Sequence, residues 1–213
     1  MIKNYIHYQP SDIRGLLQYS NLLFNNDEWF DALFQYRKAL WINSQNIDAQ
    51  LGIGLCLYHL QEFNDAVLAL RKTLKIDPYN HIAYLYLGRA LMAEDNFREA
   101  IPNLTQSLLL NPDNSAVYFN LGKSYFEINK IIQAREAFNR TININNQHGP
   151  AYYYLGLINE NIMEIEKAVE SYTKALEYSP DIQDVHYRLG MLLYRIGEFK
   201  QAMEPLREFI ILQ

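Results

Sequence analysis

The chain has 213 residues, a formal net charge of −5 at pH 7 and a hydrophobic fraction of 49%. So much apolar material is enough for a substantial core and excludes a disordered chain. The acidic balance excludes the broad positive field that attracts nucleic acid or anionic membranes, so we expect neither as a main partner.

The first twelve residues, 1–12, are interpreted as a lead-in segment without the apolar stretch of a signal peptide. No run of about 18 apolar residues follows, so we expect no membrane insertion. The single cysteine, Cys56, has no partner for an internal disulfide, which fits a reducing compartment. Together these features predict a cytoplasmic protein.

From residue 13 onward the sequence repeats with a period of 34 residues. The six copies span 13–46, 47–80, 81–114, 115–148, 149–182 and 183–213. Position 20 is alanine in every copy, and position 8 is glycine in five copies and Ser20 in the first. Since glycine is a poor helix former, its recurrence at position 8 predicts that another element packs closely there.

Each copy is predicted to hold two helices, over positions 2–14 and 18–31, joined by a short polar turn. A large residue at position 17 lies between them, and a turn former follows the second helix at position 32 in copies one to five. Pro150 fits the start of a first helix. Pro102 and Pro205 fall inside second helices, so those two helices are expected to start late or to bend.

This pattern resembles the tetratricopeptide-repeat (TPR) family, whose aromatic, Leu-Gly, Tyr, Ala, aromatic and Pro signature is clearest in copies three and five. Copy three carries Tyr84, Leu87, Gly88, Phe97, Ala100 and Pro112, and copy five carries Tyr152, Leu155, Gly156, Ala168, Tyr172, Ala175 and Pro180. The resemblance covers residues 13–213. It implies an all-α fold, a right-handed superhelical solenoid of antiparallel helix pairs whose hairpins share one continuous core.

Residues with catalytic or metal-binding chemistry are sparse. Gly52-Ile53-Gly54 lacks the third glycine and the preceding strand of a phosphate loop. Cys56 and His59 are three residues apart but have no further ligand at metal spacing, so we interpret them as a packed thiol and a polar-face histidine. No catalytic constellation is recognisable. We therefore expect no enzyme activity, no cofactor and no metal.

In the family that the chain resembles, the first helices line the concave wall of the superhelix and ligands lie against it. In each first helix, positions 4, 7, 8 and 11 share a core sector, whereas positions 2, 5, 6, 9, 12 and 13 share the adjacent one. The partner-binding groove is therefore predicted to comprise Leu51, Tyr58, Leu85, Arg89, Met92, Phe119, Asn120, Lys123, Phe126, Tyr153, Tyr154, Tyr187, Arg188 and Tyr194.

Basic groups in this set, Arg89 and Lys123 at position 9 and Arg188 at position 6, could hold a carboxylate or phosphate while the aromatic residues bury an apolar anchor. The alternative is that position-5 residues only wedge between helices and that the basic groups are ordinary solvated charges. Some TPR proteins bind chaperone C-termini through a two-carboxylate clamp. Its best match here keeps only Asn120, so we predict no chaperone-tail docking.

The second helix of the last copy has no following hairpin to cover it. An apolar terminal surface is therefore predicted at Leu206, Phe209, Ile210 and Leu212. Two functions remain open at this point. The first is an adaptor or scaffold that binds a protein or peptide ligand in its groove. The second is a structural subunit that self-assembles through end repeats or its convex surface, including a homo-oligomer formed through the C-terminal helix.

Overall fold

The computed structural model describes residues 12–212, which form twelve α-helices and no strand. Helices of the first compact unit, residues 1–112, are α1 Ile13–Asn25, α2 Trp29–Ile42, α3 Ile47–His59, α4 Phe63–Ile76, α5 His81–Ala93 and α6 Phe97–Leu110. Helices of the second unit, residues 113–213, are α7 Ser115–Glu127, α8 Ile131–Ile144, α9 Gly149–Asn161, α10 Ile165–Tyr178, α11 Gln183–Arg195 and α12 Phe199–Ile211. In both units consecutive helices pack as hairpins, so the predicted all-α class is confirmed.

The first helices span positions 1–13 and the second helices of copies one to five span positions 17–30, so these helices begin and end one residue earlier than predicted, whereas α12 ends at position 29. Side-chain capping by the residue before position 1 fixes the start of several first helices. The side chains of Asn46, Asn80 and Asn114 accept hydrogen bonds from the backbone N–H groups of the third helical residues of α3, α5 and α7. Asp12 caps α1 from the predicted lead-in segment, whose other residues lie outside the described part of the chain.

The turn inside each hairpin has the same backbone conformation in all six copies. Position 15 has a positive φ in each, at Asp27, Gln61, Asp95, Asn129, Met163 and Gly197. The next N–H returns to the carbonyl at position 11, as in Glu164 to Asn159 at 2.9 Å. This is a Schellman-type helix end, which requires a left-handed residue and favours glycine there. Only the last copy has glycine.

We expect Met163→Gly to stabilise the protein by about 0.5–1 kcal/mol, because the left-handed conformation costs a residue with a Cβ roughly 1–2 kcal/mol and glycine's flexibility offsets part of the gain. Met163 has φ 62° and is 72% exposed, so little packing is lost. Urea unfolding measures the change. Gly197→Ala is the matched reverse substitution, and we expect it to lower the stability. Gly197 has a φ of 85°, and nothing lies within 4 Å of the added Cβ, so the effect comes from the backbone conformation alone. A stable Gly197→Ala variant, or an unimproved Met163→Gly variant, would contradict this assignment of strain.

The close contact predicted at position 8 is present, and the residue that makes it is position 24 of the same hairpin. A Cβ on Gly156 would lie 2.4 Å from the Tyr172 ring, and one on Gly88 would lie 2.7 Å from Leu104. The alanines at position 20 are buried in all six copies. Small residues at 8 and 20 therefore let the two helices approach, while a large residue at 24 fills the space between them.

The two interior prolines do not delay their helices. α6 and α12 begin at Phe97 and Phe199, the same position 17 as the other second helices, and extend through Pro102 and Pro205. The late start is therefore wrong, and the alternative that these two helices bend stays a prediction. The polar cap Asn96, whose side chain accepts from the Glu99 N–H, helps to fix the start of α6 upstream of its proline.

The core also includes first-helix positions that the sequence analysis assigned to neither sector. Position 3 is buried in copies two to six, at Ala49, Ala83, Val117, Ala151 and Val185. Position 10 is buried in the same copies, at Cys56, Ala90, Ser124, Ile158 and Leu192. In the last hairpin, Val185 and Leu192 pack with Ala175 of the preceding helix α10. These positions therefore belong to the contact between successive hairpins.

Candidate functional site

All of the predicted groove residues are at least partly exposed to solvent. Twelve of the fourteen are half-buried, and Tyr187 and Tyr194 are exposed. We call Leu51, Tyr58, Leu85, Arg89 and Met92 the unit 1 wall, which lies on α3 and α5. The unit 2 wall consists of Phe119, Asn120, Lys123, Phe126, Tyr153, Tyr154, Tyr187, Arg188 and Tyr194, on α7, α9 and α11.

Arg89 of the unit 1 wall is held between two tyrosine rings. Its guanidinium carbon lies 4.8 Å from the ring centre of Tyr58 and 5.1 Å from that of Tyr86. Among residues 12–212 no carboxylate pairs with Arg89 and no acceptor bonds it. Cation–π contacts position the charge without neutralising it. The Arg89 fork therefore remains available to an acceptor from outside the chain.

The same rings continue into an aromatic cluster around His59. The imidazole stacks on Trp29 at 4.9 Å and meets Phe24 edge-on at 5.4 Å. Burial, and after it the nearby Arg89 charge, lowers the pKa of His59. These ring contacts make His59 an aromatic member of the cluster rather than the polar-face histidine that we predicted.

In the unit 2 wall, more of the aromatic side chains pack against other side chains of the same unit. Phe119 lies 4.5 Å from the His148 ring and 5.9 Å from that of Tyr154. Tyr154 in turn stacks on the buried Phe138 at 4.9 Å and meets Phe126 edge-on. These contacts favour the alternative interpretation for this part of the wall, in which position-5 residues wedge between neighbouring helices.

Arg188 differs from Arg89 because two carboxylates of the chain neutralise it. Its Nε donates to Asp184 at 2.5 Å, and its Nη1 donates to Glu160 at 3.2 Å. Both carboxylates also accept from tyrosine hydroxyls, Asp184 from Tyr153 at 2.8 Å and Glu160 from Tyr172 at 2.7 Å. Burial, with the Asp184 bond adding to it, raises the pKa of Tyr153 to about 12. This network joins α9 to α11, so Arg188 stabilises the contact between two hairpins.

The other polar members of the unit 2 wall, Asn120 and Lys123, differ in whether they already bond to another residue of the chain. The amide of Asn120 donates to the Ala116 carbonyl of its own helix at 2.7 Å. Lys123 is half-buried and has no ion pair with any residue of the described chain. Lys123 is therefore the cation of this wall that is free for an external ligand.

Comparison with known families decides what this arrangement is. Three family models, each described as tetratricopeptide repeat, match residues 48–78, 91–156 and 164–212, which together make up well over half of the chain. The chain belongs to the tetratricopeptide-repeat family. No curated protein sequence matches it.

Several solved TPR structures are similar to the chain. MamA is 28% identical, with a TM-score of 0.69 over 75% of this chain and 94% of MamA. YrrB, described as a TPR protein with an unusual peptide-binding site, is 23% identical, with a TM-score of 0.71 over 93% of this chain and 98% of YrrB. PilF of Pseudomonas aeruginosa is 21% identical, with a TM-score of 0.79 over 89% of this chain and 86% of PilF. At these identities YrrB and PilF show the fold alone.

In the last hairpin of the TPR chain, the side chains of two of the four predicted surface residues pack against the first helix of that hairpin. Leu206 packs on Gly190, and the Phe209 ring lies 5.2 Å from that of Tyr187. The prediction that all four form an uncovered terminal surface is therefore wrong for these two, because their side chains face the first helix of their own hairpin. Ile210 and Leu212 remain 71% and 36% exposed.

Chemistry elsewhere in this TPR chain is limited. Cys56 is a packed thiol, and burial raises its pKa to about 12. Within the described range no three His, Cys, Asp or Glu side chains form a group able to hold a metal ion. In the same range no helix has the length and apolar character needed to cross a bilayer.

Sequence reasoning missed Trp29, His59 and Tyr86 as members of the unit 1 site. Tyr86 is at position 6, in the sector that was assigned to the wall, so its position was a usable signal. Trp29 was treated only as an interhelical residue at position 17. Its stacking on His59 depends on the packing of α2 against α3, which the 34-residue pattern does not specify.

Proposed function

We propose that this TPR chain is a non-enzymatic adaptor that binds a partner's peptide or helix along its first-helix walls. The observation that carries the proposal is the Arg89 guanidinium, which two tyrosine rings hold in place and no described carboxylate neutralises. A partly exposed aromatic wall with one oriented cation suits a ligand that brings an acidic group beside an apolar side chain. The peptide-binding site described for YrrB, on a similar fold, is in keeping with this proposal.

Selection from a displayed library of random peptides tests the adaptor function. We expect the wild-type chain to enrich peptides in which aspartate or glutamate lies next to a large apolar residue. The Arg89→Gln variant, screened in parallel, is expected to lose the acidic preference while retaining the apolar one. Enrichment without any acidic preference, or the same preference in both proteins, would contradict the role of Arg89.

Self-assembly is the second candidate function. It is favoured by the exposed apolar side chains of α12, where Met203, Ile210 and Ile211 are each more than half exposed. Exposed apolar residues that cluster on one helix are typical of an interaction surface. Burying them between copies would stabilise an oligomer by about 25 cal/mol per Å² of apolar area removed from water.

We expect the change of Phe209 and Ile210 together to glutamine to lower the molar mass seen by light scattering if copies associate through α12. The comparison runs over a concentration series up to hundreds of micromolar. A control variant, Lys200→Gln, alters an exposed residue of the same helix without removing apolar surface. Wild type and variant that are both monomeric and equally soluble throughout would rule out this surface as an association site.

A further inference from the structure

A cavity of about 300 Å³ lies in unit 2 among three helices. Its floor is formed by α9, through Tyr152, Leu155 and Asn159, and its sides by α8 and α10. None of its lining residues belongs to the predicted groove. The volume is at the small end of ligand pockets, which run from about 300 to 1,000 Å³.

Two lining residues depart from the repeat pattern at positions that are otherwise almost uniformly apolar. Arg135 is at position 21, where the other five copies have Leu33, Val67, Ile101, Val169 and Met203. Asn159 is at position 11, where the other five have Leu23, Leu57, Leu91, Tyr125 and Leu193. The two polar departures come from different repeats and different helices, yet both line the same cavity.

The charge of Arg135 is unmatched within the described chain. Its Nε is fully buried and has no hydrogen-bond partner among residues 12–212, and none of its nitrogens forms an ion pair there. A buried donor without an acceptor is unfavourable, because it has lost its hydrogen bonds to water. The charge of Arg135 has no counter-ion in the described chain, and an anionic ligand bound in the cavity would neutralise it.

The other cations of the cavity are already paired. Lys167 is bonded to Glu164 at 3.1 Å, and Lys174 to Glu170 at 2.8 Å. The lining residues therefore carry a single surplus positive charge, at Arg135. Asn159 is 8% exposed and donates its amide to Ser171 Oγ at 3.2 Å, which fixes the polar part of the floor.

We propose that this cavity binds the carboxylate of a ligand of amino-acid size, with Arg135 as its counter-ion. A guanidinium presents parallel N–H groups that match the two oxygens of a carboxylate, and one surplus charge matches one monoanion. The carboxylate belongs either to a free small acid or to the C-terminus of a peptide. The site is independent of the adaptor wall, and failure of either proposal leaves the other standing.

Amide chemical shifts in the two-dimensional NMR spectrum of the full chain test the site with two probes. N-acetylalanine represents a peptide terminus, and butyrate represents a free acid with a single carboxylate. Each is compared with its amide, N-acetylalaninamide or butyramide. We expect at least one acid to cause saturable shifts at residues 135, 139, 159 and 171, while its amide causes none. The acid that binds more tightly identifies the source, and the absence of saturable local shifts from both acids overturns the proposal.

Variants at residue 135 separate binding from structure. Arg135→Val restores the apolar residue of the other repeats, so we expect it to melt at or above the wild-type temperature while binding the acid at least tenfold more weakly. Arg135→Gln keeps a polar side chain without the charge and is expected to show the same loss. Arg140→Gln, at an exposed arginine of the same helix, is the control that keeps wild-type affinity. Unchanged affinity in Arg135→Val and Arg135→Gln would overturn the proposal.

Discussion

Reversing the charges of Arg89 and Lys123 together, by substitution with glutamate, is expected to weaken partner binding at least tenfold, about 1.4 kcal/mol or more. Both cations lack an ion pair among residues 12–212, so each is free to contact an acidic ligand. A glutamate there would repel that ligand as well as remove the attraction. Titration of the peptides selected on the wild-type chain measures the affinity, and circular dichroism checks that the helix content is unchanged.

A double reversal at Arg98 and Arg140 is the matched control, because these two arginines are exposed, lie outside the walls and are also divided between the two units. It produces the same change in net charge and is expected to alter affinity much less. Wild-type affinity in the wall variant, or an equal loss in the control, would show that the two named cations are not specific contacts. The single variants then assign the effect to one unit or the other.

Replacing Ala134 by leucine is expected to destabilise the protein by roughly 1–3 kcal/mol, because the site is already full. Ala134 is fully buried in a cluster with Phe138, Ala151, Leu155 and Ile158. Three added carbon atoms would force either the Phe138 ring or the helix backbone to move. For a chain of this size each kcal/mol lowers the melting temperature by about 2–4 °C.

Ala116→Leu provides the control for this prediction. Ala116 is exposed on α7 of the same unit, so the added side chain meets solvent. We expect its melting temperature to stay close to that of wild type. If Ala134→Leu also melts within a degree of wild type, position 20 is not the tight helix contact that the repeat register implies.

Much of the fold was predictable because each tight contact between helices requires a small residue at the same position of every repeat. Alanine at position 20 and glycine at position 8 recur since a side chain from position 24 fills the space above them, as in Gly122 beneath Phe138. The left-handed turn residue shows no such recurrence. Its backbone conformation is constant, but Gln61 and Met163 occupy it without resembling glycine, so the helix ends were misplaced by one residue.

The sequence predicted which sector of the first helices carries the candidate site, but not which of its basic residues are free to bind a ligand. Arg89 and Arg188 looked equivalent in sequence, as basic residues on the same predicted surface. Their difference arises from contacts with neighbouring repeats, since Arg188 bonds to Glu160 of the preceding repeat whereas Arg89 lies over the ring of Tyr58, which carries no charge. Period analysis compares like positions and does not show which side chains of adjacent hairpins come together.

In each unit, the described helices that pack extensively against each other are adjacent in the chain or next but one. Short sequence separations mean that little loop entropy opposes each contact, so folding should start in any hairpin and spread to its neighbours quickly. The same locality lets one hairpin open while its neighbours stay folded. Since α12 has one buried residue and α9 has six, the amide hydrogens of α12 should exchange with solvent much sooner than those of α9. A partner that binds α12 would slow the exchange there.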